Sequence, residues 1–229
     1  MPEPKQARSR ETQERIVRAA LELVAERGRE GPSVPEIASR AGVSVGAFYG
    51  RFPTKEALFD HVDCKLFEES ARCWVEFLES ANWRGRHAAE IVREVVRAWV
   101  DAVATHQPLN RALTERWRTT VPSAAVKAAA AAHYEAIFAA LGDLLEERRG
   151  ELTHPDPRLA AKLLIEVIDA VLVERLTFDD TFLIPHRLSR PKLVDELTAL
   201  GVGYLGVTSA RRRITTIPRP PLRVPALSR

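Results

Sequence analysis

Residues 33–55, SVPEIASRAGVSVGAFYGRFPTK, constrain the fold of this chain more than any other stretch. Ser33 followed by Glu36 forms a capping box, which is a signature of the start of a helix. Gly42 ends that helix, because glycine adopts the left-handed backbone conformation without steric cost. Ser44 then caps a second helix. The segment therefore predicts two short helices joined by a tight turn.

Apolar residues in this segment occupy the positions where the two helices would pack against each other. They are Ile37, Ala38, Ala41, Val43 and Phe48. Two helices joined by a glycine turn and held by such contacts make a helix-turn-helix, an arrangement used for DNA binding. The pattern turns Phe48 inward and leaves the opposite face of its helix to solvent or DNA.

Helical periodicity continues through most of the chain. It predicts a helix from Arg10 to Arg27 and, after a cap at Thr54, a long helix to about Leu78. Further periodic runs, separated by prolines, cover 91–105, 109–117, 124–148, 157–178 and 191–205. No run alternates as a strand would. We expect an all-α protein with an N-terminal three-helix helix-turn-helix domain followed by a larger helical bundle.

Changes in composition predict four segments. The polar start indicates a flexible N-terminal arm over 1–9, before the helix-turn-helix domain at 10–53 and the helical body at 54–205. Residues 206–229 contain six arginines, repeated proline and no acidic residue. Such a composition favours an extended C-terminal tail.

The charge balance limits the kind of DNA contact that is possible. The chain has 34 Lys and Arg against 31 Asp and Glu, for a net charge of +3. A uniformly basic surface of the histone kind is therefore excluded, and any DNA footprint must be local.

Cysteine usage and hydropathy indicate the cellular compartment. Cys64 and Cys73 lie nine positions apart on one predicted helix, roughly 13 Å along its axis, so they should be reduced thiols. The start of the chain has no apolar leader, and no later stretch gives the ~18 apolar residues of a membrane span. We expect a cytoplasmic protein. Its histidines and cysteines show no metal-ligand spacing, and no cofactor is expected.

The second short helix carries the candidate DNA contacts. The face of this helix that points away from Phe48 carries Val45, Gly46 and Tyr49. Ser44 and Ala47 lie beside that face. Arg51 and Lys55 add two cations at the rim. Taken singly, these two could be solvated surface charges, but their proximity to Tyr49 favours a contact with phosphates.

Residues 15–62 resemble the TetR family of bacterial transcriptional regulators. The resemblance rests on RIVRAALELVAERG and on IASRAGVSVGAFYGRFPTKEALF. It implies that Tyr49 and Lys55 grip phosphates. It also implies further DNA contacts from the start of the preceding helix, at Ser33, Val34 and Pro35. Arg51 stands where the family more often has histidine, and a cation there should keep a backbone contact.

The same resemblance assigns the base-facing positions to Val45, Gly46 and Ala47. None of these side chains can form a hydrogen bond, so base recognition cannot depend on bidentate pairs. Our hypothesis is that Val45 and Ala47 contact thymine methyl groups. An arm bearing Lys5, Arg8 and Arg10 would then read the shape of the DNA.

Family resemblance further implies a homodimer, a body that binds a small apolar or aromatic effector, and repression at a palindromic operator. The last two predicted helices carry more apolar residues than one buried face needs, which suits a dimer seam, although a buried helix of a monomer would look similar. The candidate effector pocket comprises Trp74, Phe77, Trp99, His106, Trp117, Tyr134 and Phe138. Ordinary core packing is the alternative for each of these residues.

Two other functions are compatible with the sequence. One is a constitutive DNA-binding protein without a ligand, and the other, which we favour less, is an all-helical enzyme. No nucleophile with its base, carboxylate pair or phosphate-binding loop can be assembled from the residues, so we expect no catalysis.

Overall fold

The computed structural model describes residues 4–27, 31–79, 83–105, 107–177 and 188–208. The regular elements of these residues are helices, in agreement with the predicted fold class. Their bounds are α1 Pro4–Arg27, α2 Val34–Ala41, α3 Val45–Tyr49, α4 Lys55–Leu78, α5 Ala88–Thr105, α6 Gln107–Thr119, α7 Ala124–Glu146, α8 Pro157–Thr177 and α9 Arg190–Leu205, with a short 3₁₀ turn at Arg149–Glu151. Among the helices of the described residues, none is long and apolar enough to cross a membrane.

Two helix starts differ from the sequence prediction. Helix α1 begins at Pro4 rather than Arg10, so part of the predicted flexible arm is helical. Pro suits a first helical turn, and Lys, Gln, Ala and Arg are strong helix formers. Helix α5 begins at Ala88 rather than Ile91, because its first amide donates to Glu151 Oε2 at 2.7 Å. That cap comes from a distant part of the chain.

The chain divides into two compact units. The first contains the described residues up to Glu68 together with 107–130, and therefore includes α6. Its core packs α1, α2, α3 and the start of α4 through Ile16, Ala20, Leu23, Ile37, Ala38, Phe48, Phe52, Leu58 and Val62. The expected boundary at residue 53 thus differs from the compact unit, which extends into α4 and takes in a later helix.

The second unit contains the described residues of 69–105 and 131–208. Its core is formed by residues from α4, α5, α7, α8 and α9. Gly201 allows α9 to pack closely, since a Cβ there would lie 2.8 Å from Leu164 Cδ1 and 3.0 Å from Val92 Cγ1. Helices α5, α8 and α9 are in mutual contact.

Candidate nucleic-acid interface

The turn between α2 and α3 has the predicted geometry. The carboxylate of Glu36 accepts hydrogen bonds from the backbone N–H and the hydroxyl of Ser33, at 2.8 and 2.7 Å. Gly42 has φ 64° and ψ 40°, in the left-handed region. Its amide donates to Ser39 and the amide of Val43 donates to Ala38, which satisfies the last carbonyls of α2.

Arg15 of α1 holds this turn from the other side. Its Nε donates to the carbonyl oxygen of Ala41 at 2.9 Å, and its Nη2 donates to that of Gly42 at 2.7 Å. A Cβ on Gly42 would lie 2.8 Å from the same Nη2. Glycine is therefore needed here both for its backbone conformation and for the guanidinium that covers it.

Helix α3 turns one face inward and the other outward. Ser44 caps it by accepting from the amide of Ala47 at 3.1 Å. The ring of Phe48 is fully buried, whereas Tyr49 is 51% exposed and Val45 is 40% exposed. The two aromatic rings meet edge to face with centroids 5.4 Å apart. One ring thus anchors the helix while its neighbour remains available to a partner.

The rest of the outward face is small. Gly46 is exposed, and the nearest atom that a Cβ there would meet is Ser44 Oγ, at 3.9 Å. Ala47 is half-buried. The centre of the face therefore permits a close approach by a groove wall, and its side chains offer no hydrogen bonds to bases.

Cations lie at the rim of this face. Arg51 is exposed and donates to the carbonyl oxygen of Gly50 at 3.3 Å. Lys55, in the first turn of α4, has its Nζ 3.5 Å from the carbonyl oxygen of Gly31 and 5.7 Å from the centroid of the Phe59 ring. These weak contacts orient the ammonium without neutralising it.

The other predicted contacts lie at the start of α2 and on α1. Ser33 and Pro35 are exposed and Val34 is half-buried at the start of α2. Arg8 and Arg10 are exposed on α1. Arg40 forms ion pairs with Glu26 and Glu22, at 2.8 and 3.5 Å. Its charge is therefore balanced within the unit.

Two residues of α6 join α4 in the first unit. Arg116 donates to the carboxylates of Asp63 and Asp60, the latter at 2.9 Å. The indole N–H of Trp117 donates to Asp63 at 3.0 Å, and its ring stacks on Phe67 at 5.4 Å. Burial raises the pKa of Asp63, while the bond from Trp117 and the charge of Arg116 oppose that rise. These contacts explain why α6 belongs to this unit.

The residues of the predicted effector pocket belong to both compact units. Trp74, Phe77 and Trp99 are buried in the core of the second unit, and Tyr134 and Phe138 pack against it. Trp117 was expected with them but belongs to the first unit, held by Asp63 and Phe67. His106 lies outside the described residues.

A polar centre lies among the aromatic side chains of the second unit. The phenol of Tyr134 donates to Asp169 Oδ2 at 2.8 Å, and the indole N–H of Trp99 lies 3.4 Å from Asp169 Oδ1. Burial raises the pKa of both Asp169 and Tyr134. The sequence does indicate Asp169, because this aspartate interrupts the apolar run LLIEVIDAVL. It was not among the predicted pocket residues.

Comparisons with known proteins give the family. Residues 16–62 match the profile of bacterial regulatory proteins of the tetR family. Residues 89–205, about half of the chain, match the profile of the tetracyclin repressor-like C-terminal domain. The chain belongs to the TetR family. It is therefore a DNA-binding transcriptional regulator, as the resemblance implied.

Solved structures share the fold of this TetR-family chain. A putative TetR-family regulator from Mesorhizobium loti MAFF303099 has a TM-score of 0.65 at 21% identity, covering 87% of this chain and 97% of that one. FadR from Bacillus subtilis in complex with stearoyl-CoA has a TM-score of 0.60 at 20% identity, covering 83% and 98%.

Sequence similarity to two curated HTH-type transcriptional regulators is confined to a short segment. The uncharacterized HTH-type transcriptional regulator YerO from Bacillus subtilis is 46% identical over 48 residues, which are 21% of this chain. The matched segment spans 17% of that relative's length. The similarity is therefore strong only over a short part of each chain.

Proposed function

We propose that this protein is a ligand-responsive repressor that binds a palindromic operator as a homodimer and is released by a small molecule that enters the second unit. It would act in the cytoplasm, where bacterial DNA lies. The DNA-binding part of this proposal rests on the two faces of α3. Phe48 is buried on one face, and Tyr49 is half exposed on the other.

The proposed DNA contacts divide into two kinds. Tyr49, Arg51 and Lys55 grip phosphates, helped by the amides at the capped starts of α2 and α3. Val45 and Ala47 contact base edges through apolar groups, and Gly46 admits the groove wall. Since no bidentate pair is available on this face, discrimination between sequences must depend on thymine methyl groups and on DNA shape.

Exposed apolar residues on α8 and α9 support the homodimer. They are Leu159, Leu163, Val173, Leu200 and Tyr204. Leucines exposed on two neighbouring helices are costly in water, and a second copy of the chain would cover them. A dimer also presents two recognition helices, which palindromic half-sites about 34–36 Å apart require.

A small-molecule effector is supported by the family and by the aromatic side chains of the second unit. FadR from Bacillus subtilis, whose fold is similar, was crystallised with stearoyl-CoA. Pockets for such ligands are mostly apolar with a few polar groups. Tyr134, Phe138 and Asp169 provide that combination here.

Regulation requires that the effector prefer one state of the protein. Helix α4 runs from Lys55 to Leu78 without a break, and its residues belong to both units. We propose that this helix transmits the difference between the liganded and the free state. By linkage, an effector that weakens DNA binding must itself bind the DNA-bound protein more weakly.

The experiment is a genome-wide footprint with purified full-length protein, compared with the Lys55→Glu variant. We expect discrete palindromic sites for the wild type and a loss of these sites for Lys55→Glu. Lys65→Glu is the matched control, because it makes the same charge change on an exposed part of the same helix. Diffuse binding without palindromes, or equal binding by the Lys55 variant, would contradict the proposal.

A further inference from the structure

In the part of the chain that the structure describes, Asp169 is a carboxylate without a matching positive charge. It lies on α8 and is partly buried, and its oxygens are held by the neutral donors Tyr134 and Trp99. Within the described residues no lysine, arginine or histidine pairs with it. Among the described residues, the negative charge is therefore compensated by the dipoles of Tyr134 and Trp99.

Such an arrangement costs free energy in the free protein. Removal of a carboxylate from water is unfavourable, and hydrogen bonds from neutral groups recover only part of that cost. Burial is the largest cause of the raised pKa of Asp169, and among the described residues it is opposed by the hydrogen bonds from Tyr134 and Trp99 and by no charged group. A cation placed beside this carboxylate would recover the remainder.

The surrounding side chains are those that attract organic cations. The ring of Trp99, whose N–H faces Asp169, lies 4.4 Å from that of Trp74, and the ring of Tyr134 lies 5.9 Å from that of Phe138. Aromatic faces attract cations through their quadrupole. The chain itself provides an example, because Lys162 Nζ lies 5.4 Å from the centroid of Phe138.

The cluster is not sealed from solvent. Trp74 and Trp99 are buried, but Tyr134, Phe138 and Val103 are only partly buried where they pack against the core. Asp169 itself keeps some exposure. A ligand that displaces water at these side chains would gain apolar contacts and an ion pair at the same place.

We infer that Asp169, Tyr134 and the adjoining aromatic rings form a binding site for an organic cation that carries apolar or aromatic groups. The inference rests on the proposed function in one respect, because it identifies the chemical class of the effector. The carboxylate supplies the charge selectivity and the rings supply the affinity.

The test measures binding of two probes of nearly equal shape and opposite charge by calorimetry on the full-length protein. Tetraphenylphosphonium should bind at least tenfold more tightly than tetraphenylborate. In Asp169→Asn the affinity for the phosphonium should fall at least tenfold, with no such loss in Glu166→Gln. Glu166 is the matched control, because it is an exposed carboxylate on the same helix. Equal affinities for the two probes, or an unchanged affinity in Asp169→Asn, would overturn the inference.

A second variant guards against a folding defect in Asp169→Asn. Asp169→Glu changes the same position but keeps the carboxylate. Its affinity for tetraphenylphosphonium should stay well above that of Asp169→Asn, and circular dichroism checks that both variants are folded. An equal tenfold loss in the two folded variants would overturn the inference, since it would show that the negative charge is not what the probe requires.

Failure of this inference is distinguishable from failure of the proposed function. If stearoyl-CoA releases the protein from its DNA sites while no phosphonium binds, the inferred cation site is wrong and the proposed regulatory function is supported. If the phosphonium binds in an Asp169-dependent manner but no DNA site exists, the inferred cation site is supported and the proposed function is wrong.

Discussion

Arg15 donates from its Nε to the carbonyl oxygen of Ala41 at 2.9 Å, which ties α1 to the end of α2. The same guanidinium also reaches the carbonyl oxygen of Gly42. One side chain of α1 thus fixes the point at which the chain reverses between α2 and α3. The orientation of α3 depends on that reversal.

Substitution of Arg15 should therefore lower both stability and DNA affinity. In Arg15→Ala two carbonyl groups lose their charged donor, and we expect a decrease of about 1–2 kcal/mol in the free energy of unfolding. Urea denaturation measures it. Arg18→Ala is the matched control, because Arg18 is an exposed arginine on the same helix. Equal stability of the two variants would contradict this role for Arg15.

Tyr49→Ala should separate binding from folding. Its ring is half exposed, so the free energy of unfolding should change by less than about 1 kcal/mol, while affinity for the best operator should fall at least tenfold. Tyr49→Phe distinguishes the hydroxyl from the ring. Titration of labelled operator by anisotropy gives the affinities, and an unchanged affinity in Tyr49→Ala would remove this residue from the interface.

Removal of Arg116 should destabilise the protein more than removal of an ordinary surface arginine. Asp63 is almost completely buried and depends on Arg116 and Trp117 for its hydrogen bonds. Loss of one partner of a buried ion pair costs about 3–5 kcal/mol. We expect Arg116→Met to approach this range, and the double variant with Asp63→Leu to recover part of it. No recovery in the double variant would show that the cost does not come from the uncompensated charge.

The pH dependence of stability should depend on Asp169. Its pKa is raised in the folded state by burial, so between the unfolded value near 4 and the folded value the native protein binds more protons. Stability from this group is complete below the unfolded value and is lost as the pH rises through the folded one. Asp169→Asn should flatten the curve of unfolding free energy against pH, and Glu166→Gln should not.

Charge on the exposed face of α8 should disrupt the proposed dimer. In Leu163→Glu a carboxylate replaces one of the exposed apolar residues, and sedimentation should detect a shift toward monomer. Val121→Glu introduces the same charge at a residue that is 81% exposed and outside α8 and α9. A dimer that persists in Leu163→Glu and is lost in Val121→Glu would place the interface elsewhere.

The sequence predicted those features that local chemistry determines. The caps at Ser33 and Ser44, the left-handed Gly42 and the inward Phe48 all follow from neighbouring residues, and the structure confirms them. The helix-turn-helix could therefore be located to within a residue.

Features that depend on distant residues were missed. Nothing near Arg15 in the sequence indicates that it bonds to a carbonyl 26 positions away. Similarly, the cap that Glu151 provides for α5 and the bonds from Arg116 that draw α6 to α4 join segments far apart in the chain. Trp117 lies in the first unit whereas Trp74 and Trp99 lie in the second, and the sequence could not show this because spacing along a helix does not reveal which unit that helix joins.

The open space at Gly46 has a consequence for how this protein could change its target. A side chain added there meets nothing closer than the hydroxyl of Ser44, at 3.9 Å. A change of one nucleotide in its codon could thus install an arginine on α3, the proposed recognition helix, and with it a preference for particular bases, while the scaffold stays intact. New regulons would then be open to descendants of this chain at little cost to folding.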